Sequence, residues 1–188
     1  MLIQKLNENW QMCINNTEEF MPAAVPGSVY QDLLDNNKME DPYYRDNELK
    51  ALKIMENDFT YVTCFDVPED IREREEVLLH FDGIDTIGDI YLNGTLLGHV
   101  KNMHRIWEYS VKNLLKPEGN ELKVVLHSPT RFIREAYEER PLEGSSDAMR
   151  GFPYLRKAHC MFGWDWGPRL PDAGIWREVE LMAFDTAR

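Results

Sequence analysis

The residues best able to do chemistry are gathered in one stretch, Phe162-Gly163-Trp164-Asp165-Trp166-Gly167-Pro168, followed by Arg169, Asp172 and Gly174-Ile175-Trp176-Arg177. Three of the chain's five tryptophans lie there. Glycines on both sides and a proline behind make it a shaped loop, so Trp164 and Trp166 are not the alternating face of an ordinary strand. An indole offers a flat apolar face to the C–H side of a sugar ring. A carboxylate between two indoles can accept hydrogen bonds from two neighbouring hydroxyls. That is the chemistry of sugar recognition. In the competing reading the tryptophans plug one end of the fold, while Asp165 caps a turn or pairs with Arg169 or Arg177.

Other candidates are weaker. Asp41-Pro42-Tyr43-Tyr44-Arg45-Asp46-Asn47-Glu48 is a second polar and aromatic loop with Asp-Pro as a turn starter. Either it lines a cleft, or its tyrosines pack on the fold and its charges are solvated. Asn102-Met103-His104-Arg105 is similar, and a lone His104 reads as a structural histidine rather than a base or ligand. His80, His99, His127 and His159 show no spacing that sets two on one face, so no metal ligand is assigned. The 33 acidic residues offer many arbitrary carboxylate pairs, none in a catalytic context, so no catalytic residue is assigned. Glu138-Glu139 and the acidic run from Glu73 to Glu76 read as solvated faces. Gly-x-Ser-x-Gly, Gly-x-Gly-x-x-Gly and phosphate-loop motifs are lacking, and no cofactor is expected.

The elements that must position these residues belong to one domain, since 188 residues suffice for a two-layer core without disulfides or metal. A composition of 43% hydrophobic, 11% aromatic and 29% charged residues is that of a folded globular protein. The net charge of −12 argues against nucleic acid, whose affinity comes from Lys and Arg displacing counterions. No apolar run approaches bilayer length and the N-terminus lacks a signal pattern, so the expectation is a cytoplasmic protein with no membrane partner. Cys13, Cys64 and Cys160 show no paired spacing and read as reduced, mostly buried thiols.

From Asp58 to Val67 the sequence alternates, with Phe59, Tyr61, Thr63, Phe65 and Val67 on one side, as in a half-buried strand. Val77, Leu79 and Phe81 repeat the pattern. Ile87 to Leu92 forms a further strand ending at Asn93-Gly94, which predicts a type I′ hairpin turn. Asn93 is then a turn residue, although Asn93-Gly94-Thr95 is formally a glycosylation sequon. Leu96 to Val100, then Leu122, Val124 and Leu126, then Ile175 to Phe184 complete a set of five to eight strands. Ser28 caps a short helical segment, and Thr130 to Glu139 forms another after Pro129. With almost no βα alternation, the pattern predicts an all-β antiparallel sandwich of jelly-roll type with short helical excursions.

Several segments together carry a resemblance: Val25-Pro26-Gly27-Ser28-Val29-Tyr30-Gln31-Asp32-Leu33, Asp41 to Glu48, Phe81-Asp82-Gly83-Ile84-Asp85-Thr86, Ile90-Tyr91-Leu92-Asn93-Gly94, Asn102 to Arg105, and Gly163-Trp164-Asp165-Trp166-Gly167-Pro168. They look like the N-terminal, galactose-binding-domain-like sugar-binding domain of β-mannosidases in glycoside hydrolase family 2. The Ile-Tyr-Leu-Asn-Gly hairpin is widespread in that family, whereas Gly-Trp-Asp-Trp-Gly-Pro and Asp-Pro-Tyr-Tyr-Arg-Asp-Asn are more particular to its β-mannosidase branch. One departure is visible. Lys50 to Glu56, which reads as strand, lacks the tryptophan that family members often carry before the Tyr-containing strand.

The resemblance implies that residues 1–188 are one sugar-binding domain. Its partners would be a terminal β-mannoside and two later domains absent from this sequence, one immunoglobulin-like and one a (β/α)₈ barrel holding two catalytic glutamates. The last residues, Phe184 to Arg188, fall where the family passes into its second domain. Family members remove terminal non-reducing β-D-mannose with retention, so this part alone is expected to be inactive. The residues carried over as substrate-binding are Trp164, Asp165 and Trp166. The alternatives are a stand-alone lectin-like module, the same domain of a β-galactosidase or β-glucuronidase, or a scaffold with no sugar contact.

Overall fold

A computed structural model describes residues 1–186. In chain order its strands are β1 (Leu2–Lys5), β2 (Gln11–Ile14), β3 (Met21–Pro22), β4 (Phe59–Phe65), β5 (Glu76–Phe81), β6 (Ile87–Leu92), β7 (Thr95–Lys101), β8 (Trp107–Ser110), β9 (Asn120–Leu126), β10 (Phe162–Trp164), β11 (Gly167–Arg169) and β12 (Val179–Phe184). The helices are α1 (Val29–Asp35), α2 (Asn47–Ile54), α3 (Glu69–Arg72) and α4 (Pro129–Glu139). Four strands pair in the order β1-β12-β5-β8 and six in the order β3-β2-β4-β9-β6-β7; β10 and β11 stand apart as a hairpin. Every strand pairing is antiparallel, as the all-β sandwich expectation requires.

The alternating segments become the sandwich core. Val77, Leu79 and Phe81 of β5 are fully buried in one cluster with Ile90 and Leu92 of β6, Leu122, Val124 and Leu126 of β9, and Phe59 and Tyr61 of β4. Burying side chains of this size stabilises the fold by roughly 1.5–3 kcal/mol each. Asn93 and Gly94 take φ values of 51° and 80°, as a type I′ turn demands. The Asn93 amide is also fully used. Its Nδ2 donates to Leu114 O at 2.7 Å and Asn120 Oδ1 at 3.0 Å, and its Oδ1 accepts from Glu121 N.

Three expectations are corrected. Lys50 to Glu56 is not strand; most of it lies in α2, whose run Glu48-Leu49-Lys50-Ala51-Leu52-Lys53 is of strong helix formers with no β-branched residue. Strands number twelve among the described residues rather than five to eight, because β1, β2, β3, β8, β10 and β11 are each only two to four residues long, too short to show an alternating pattern. Of the cysteines only Cys13 is buried; Cys64 and Cys160 are exposed, Cys64 because it lies on the outward phase of β4.

Two buried polar links fix the segments that surround the hairpin. Asp32 of α1 accepts from Tyr61 Oη at 2.6 Å and from Ala24 N at 2.8 Å, tying α1 to β4. Lys157 is fully buried; its ammonium donates to the Asp85 carboxylate and to Asp172 O at 2.6 Å. Asp85 and Gly174 exchange backbone hydrogen bonds, both 2.8 Å long. Asp172 Oδ1 then accepts from Tyr30 N at 3.0 Å, so the segment that follows the hairpin also holds the first turn of α1.

Candidate functional site

The Trp-Asp-Trp segment is the tip of the β10–β11 hairpin. Phe162 anchors its base in a small second core with Ile87, Ile133 and Leu155. Trp164, paired opposite Gly167, shares the face of Phe162 but lies beyond that small core towards the hairpin's end, and Asp165 and Trp166 are the two turn residues. Trp164 is 47% exposed and Trp166 77% exposed, so neither plugs the sandwich. Gly163 has φ of +98°, and a Cβ there would stand 2.4 Å from Arg169 Cγ. Only glycine meets both demands.

Asp165 is exposed and among the described residues has no hydrogen-bond or ion-pair partner. Neither arginine suggested as its partner is available. Arg169 Nε donates to Glu48 Oε1 at 2.6 Å and its backbone N reaches the same oxygen at 3.2 Å. Arg177 lies over the Trp176 ring, 4.1 Å from its centroid. A carboxylate flanked by two outward indoles is therefore left open to solvent or to a polyhydroxylated ligand.

Beside the hairpin lies a cleft of about 440 Å³, within the range of small-molecule sites. Its lining includes Trp166 and Pro168 of the hairpin together with Tyr30, Gln31, Pro42 and Tyr43. Tyr43 is 76% exposed, so the Asp41 to Glu48 segment lines a cleft rather than packing all its tyrosines on the sandwich. Its shape is local: Asp41 Oδ1 accepts from Tyr43 N at 2.9 Å, and Asn47 Nδ2 donates to Asp41 O at 2.9 Å. Asp172 borders the cleft as well, and burial pushes its carboxyl above the usual carboxylate range against hydrogen bonds from Ser28, Tyr30 and Ala173.

The remaining candidates lie elsewhere. Asn102 bridges to Arg156, Arg105 stacks 4.6 Å from the Trp107 ring, and the ring of His104 is exposed instead of being a satisfied structural group. His99 and His127, apart in sequence, meet at Asp89 through cross-strand pairing. Residues that sequence spacing did not single out in the site are Glu48, as the partner of Arg169, and Tyr30, as a cleft wall. Neither carries a local signal, because each reaches the site from a helix distant in sequence.

Comparison with known proteins agrees with this architecture. The family model described as the glycosyl hydrolase 2 galactose-binding domain-like family matches residues 10–177. Beta-mannosidase of Mus musculus is 33% identical over 192 residues, covering 97% of this chain and 22% of that protein. Beta-mannosidase B of Aspergillus terreus is 37% identical over 179 residues, covering 93% of the chain and 21% of its own length. The crystal structure of beta-D-mannosidase from Dictyoglomus thermophilum superposes with a TM-score of 0.94 at 37% identity, covering 100% of this chain and 23% of that one. The chain thus spans less than a quarter of the length of each of these relatives. With its paired sheets, outward hairpin and matched residues, the chain belongs to the galactose-binding-domain-like family of glycosyl hydrolase 2.

Proposed function

We propose that this chain is the N-terminal sugar-binding domain of a retaining glycoside hydrolase that removes terminal non-reducing β-D-mannose, and that its β10–β11 hairpin contributes Trp164, Asp165 and Trp166 to the substrate pocket. The observation that carries the reading is the unpartnered Asp165 carboxylate between two exposed indoles, with Arg169 held away by Glu48. Similarity to β-mannosidases along nearly the whole chain supports the choice of sugar. Cleavage with retention needs two carboxyl groups about 5–5.5 Å apart, one as nucleophile and one as acid/base. In this reading both belong to a barrel beyond these residues. The domain's part is to bind and orient. Asp165 accepts hydrogen bonds from hydroxyls remote from the cleaved bond, and the indoles wall the pocket against water.

The test is Asp165→Ala in the enzyme carrying this domain. Loss of a charge-assisted hydrogen bond of roughly 1.5–3 kcal/mol lowers kcat/KM on mannosides by about 10- to 100-fold. Unchanged kinetics in a folded variant would remove Asp165 from the site.

The cleft between Trp166 and Tyr43 favours a second reading, a module that binds sugar unaided. Titrating mannose and mannobiose into the isolated chain separates the two. Saturable binding supports the module, and none supports a half-site completed by the barrel.

A further inference from the structure

We infer that Asp89, His99 and His127 form a binding site for one divalent transition-metal ion of the zinc class, on the outer face of the six-stranded sheet. The three side chains come from neighbouring strands in the order β9-β6-β7. Asp89 sits directly opposite His99 in the β6–β7 register, and His127 follows the last residue of β9, its backbone N bonded to Ile87 O. Their ligand atoms all lie within 4.8 Å of one another.

The arrangement is close to what a metal needs. His99 Nδ1 stands 2.8 Å from Asp89 Oδ1, and His127 Nε2 stands 2.9 Å from Asp89 Oδ2. Zinc takes imidazole nitrogen and carboxylate oxygen at about 2.0–2.2 Å, which puts tetrahedral ligand atoms about 3.4 Å apart. The ion is admitted when the two Asp89 contacts open by about half an ångström and the two histidine nitrogens, within 4.8 Å of each other, settle at that same spacing; the ring N–H protons that face Asp89 leave those nitrogens as it binds. Two imidazoles and one carboxylate are a ligand set suited to a divalent first-row ion rather than calcium or magnesium, and a fourth position stays open to water. The ligand side chains are 24% to 56% exposed, so an ion can enter from solvent.

A supporting shell is also built. Asp58 Oδ2 stands 3.7 Å from His127 Nδ1, the ring nitrogen turned away from Asp89. Asp58 is itself held by Arg131 Nη2 at 2.6 Å and by Ser128 N at 2.9 Å. At 3.7 Å Asp58 stands just outside hydrogen-bond reach of that nitrogen; closing onto it when the ion binds, the carboxylate would orient the ring and raise its basicity as a ligand. Bound there, the ion would clamp the β7, β6 and β9 strands and stabilise the folded state by mass action.

Zinc chloride titration of the 188-residue chain by calorimetry, with Co²⁺ absorption as a coordination readout, tests the site. Cys64 and Cys160 are exposed thiols, a side-chain type that competes for zinc, so a Cys64→Ser/Cys160→Ser background is used throughout. The expected result is one ion per chain, a rise in Tm with zinc, and a visible Co²⁺ band. His99→Gln or His127→Gln abolishes all three. Asp58→Asn weakens affinity by about 10- to 100-fold. No saturation at millimolar zinc, or affinity equal in the parent and the His99→Gln/His127→Gln variant, overturns the proposal and leaves a hydrogen-bonded His-Asp-His cluster. If the variants fail to fold, the stoichiometry and Co²⁺ band of the parent decide alone.

Discussion

Glu48 and Arg169, 121 residues apart, are joined twice: Glu48 Oε1 receives both the Arg169 Nε at 2.6 Å and the Arg169 backbone N at 3.2 Å. The bond fixes α2 against β11 and does a second thing. It keeps a guanidinium four residues from Asp165 pointed away from that carboxylate. In the mannoside-binding reading, Glu48 is thus a positioning residue that keeps Asp165 free for hydroxyls.

The first prediction is that Glu48→Ala weakens substrate binding while leaving the fold almost unchanged. The pair is partly exposed, so its loss costs stability about 1 kcal/mol or less. A freed Arg169 can turn to Asp165, and the resulting misplacement lowers kcat/KM on mannosides by about 10-fold in the enzyme carrying this domain. Steady-state kinetics with a thermal melt checks both. Adding Arg169→Gln to Glu48→Ala restores much of kcat/KM, because the competing cation is gone; a double variant as poor as the single one contradicts the proposed role.

Much of this was legible in the residues, for identifiable reasons. β4, β5, β6 and β9 show because their inward side chains are large and apolar at period two, and Asn93-Gly94 shows because a type I′ turn needs positive φ. The glycines and indoles of the hairpin mark a shaped, aromatic tip. α2 is hidden because it follows a turn-rich segment, and only Asn47 and Ala51 are buried, which leaves no apolar stripe to read. The Asp89–His99 contact is hidden by a bulge. Continuing the register Leu92↔Thr95 and Tyr91↔Leu96 would set Gly98 opposite Asp89, but the shift between Ile90 and Tyr91 brings His99 there instead.

The second prediction concerns pH. Burial pushes the Asp32 carboxyl above the usual carboxylate range, opposed by the hydrogen bonds from Tyr61 and Ala24. A folded pKa above the unfolded one means that the native state holds the proton longer. The stabilisation is complete below the unfolded pKa and is lost as pH rises through the folded one, by at most about 1.4 kcal/mol per pH unit. Urea unfolding at pH 4.5, 6 and 7.5 should therefore show the stability of the parent relative to Asp32→Asn shrinking as pH rises. A difference that grows with pH would mean that the two hydrogen bonds outweigh desolvation.

The third prediction follows from Lys157. Its side chain is buried with that of Asp85, 0% and 5% exposed, so removing the ammonium leaves an uncompensated carboxylate inside the protein. Breaking such a pair costs about 3–5 kcal/mol, far more than the pair contributes relative to an apolar replacement. Lys157→Met should lower the urea midpoint strongly. Because Lys157 also donates to Asp172 O, the loss loosens the segment that caps α1 and borders the Trp166 cleft. Lys157→Met/Asp85→Asn removes the stranded charge and recovers a large part of the midpoint. Equal midpoints for the single and double variants would show that the damage comes from the lost Asp172 contact and not from the buried charge.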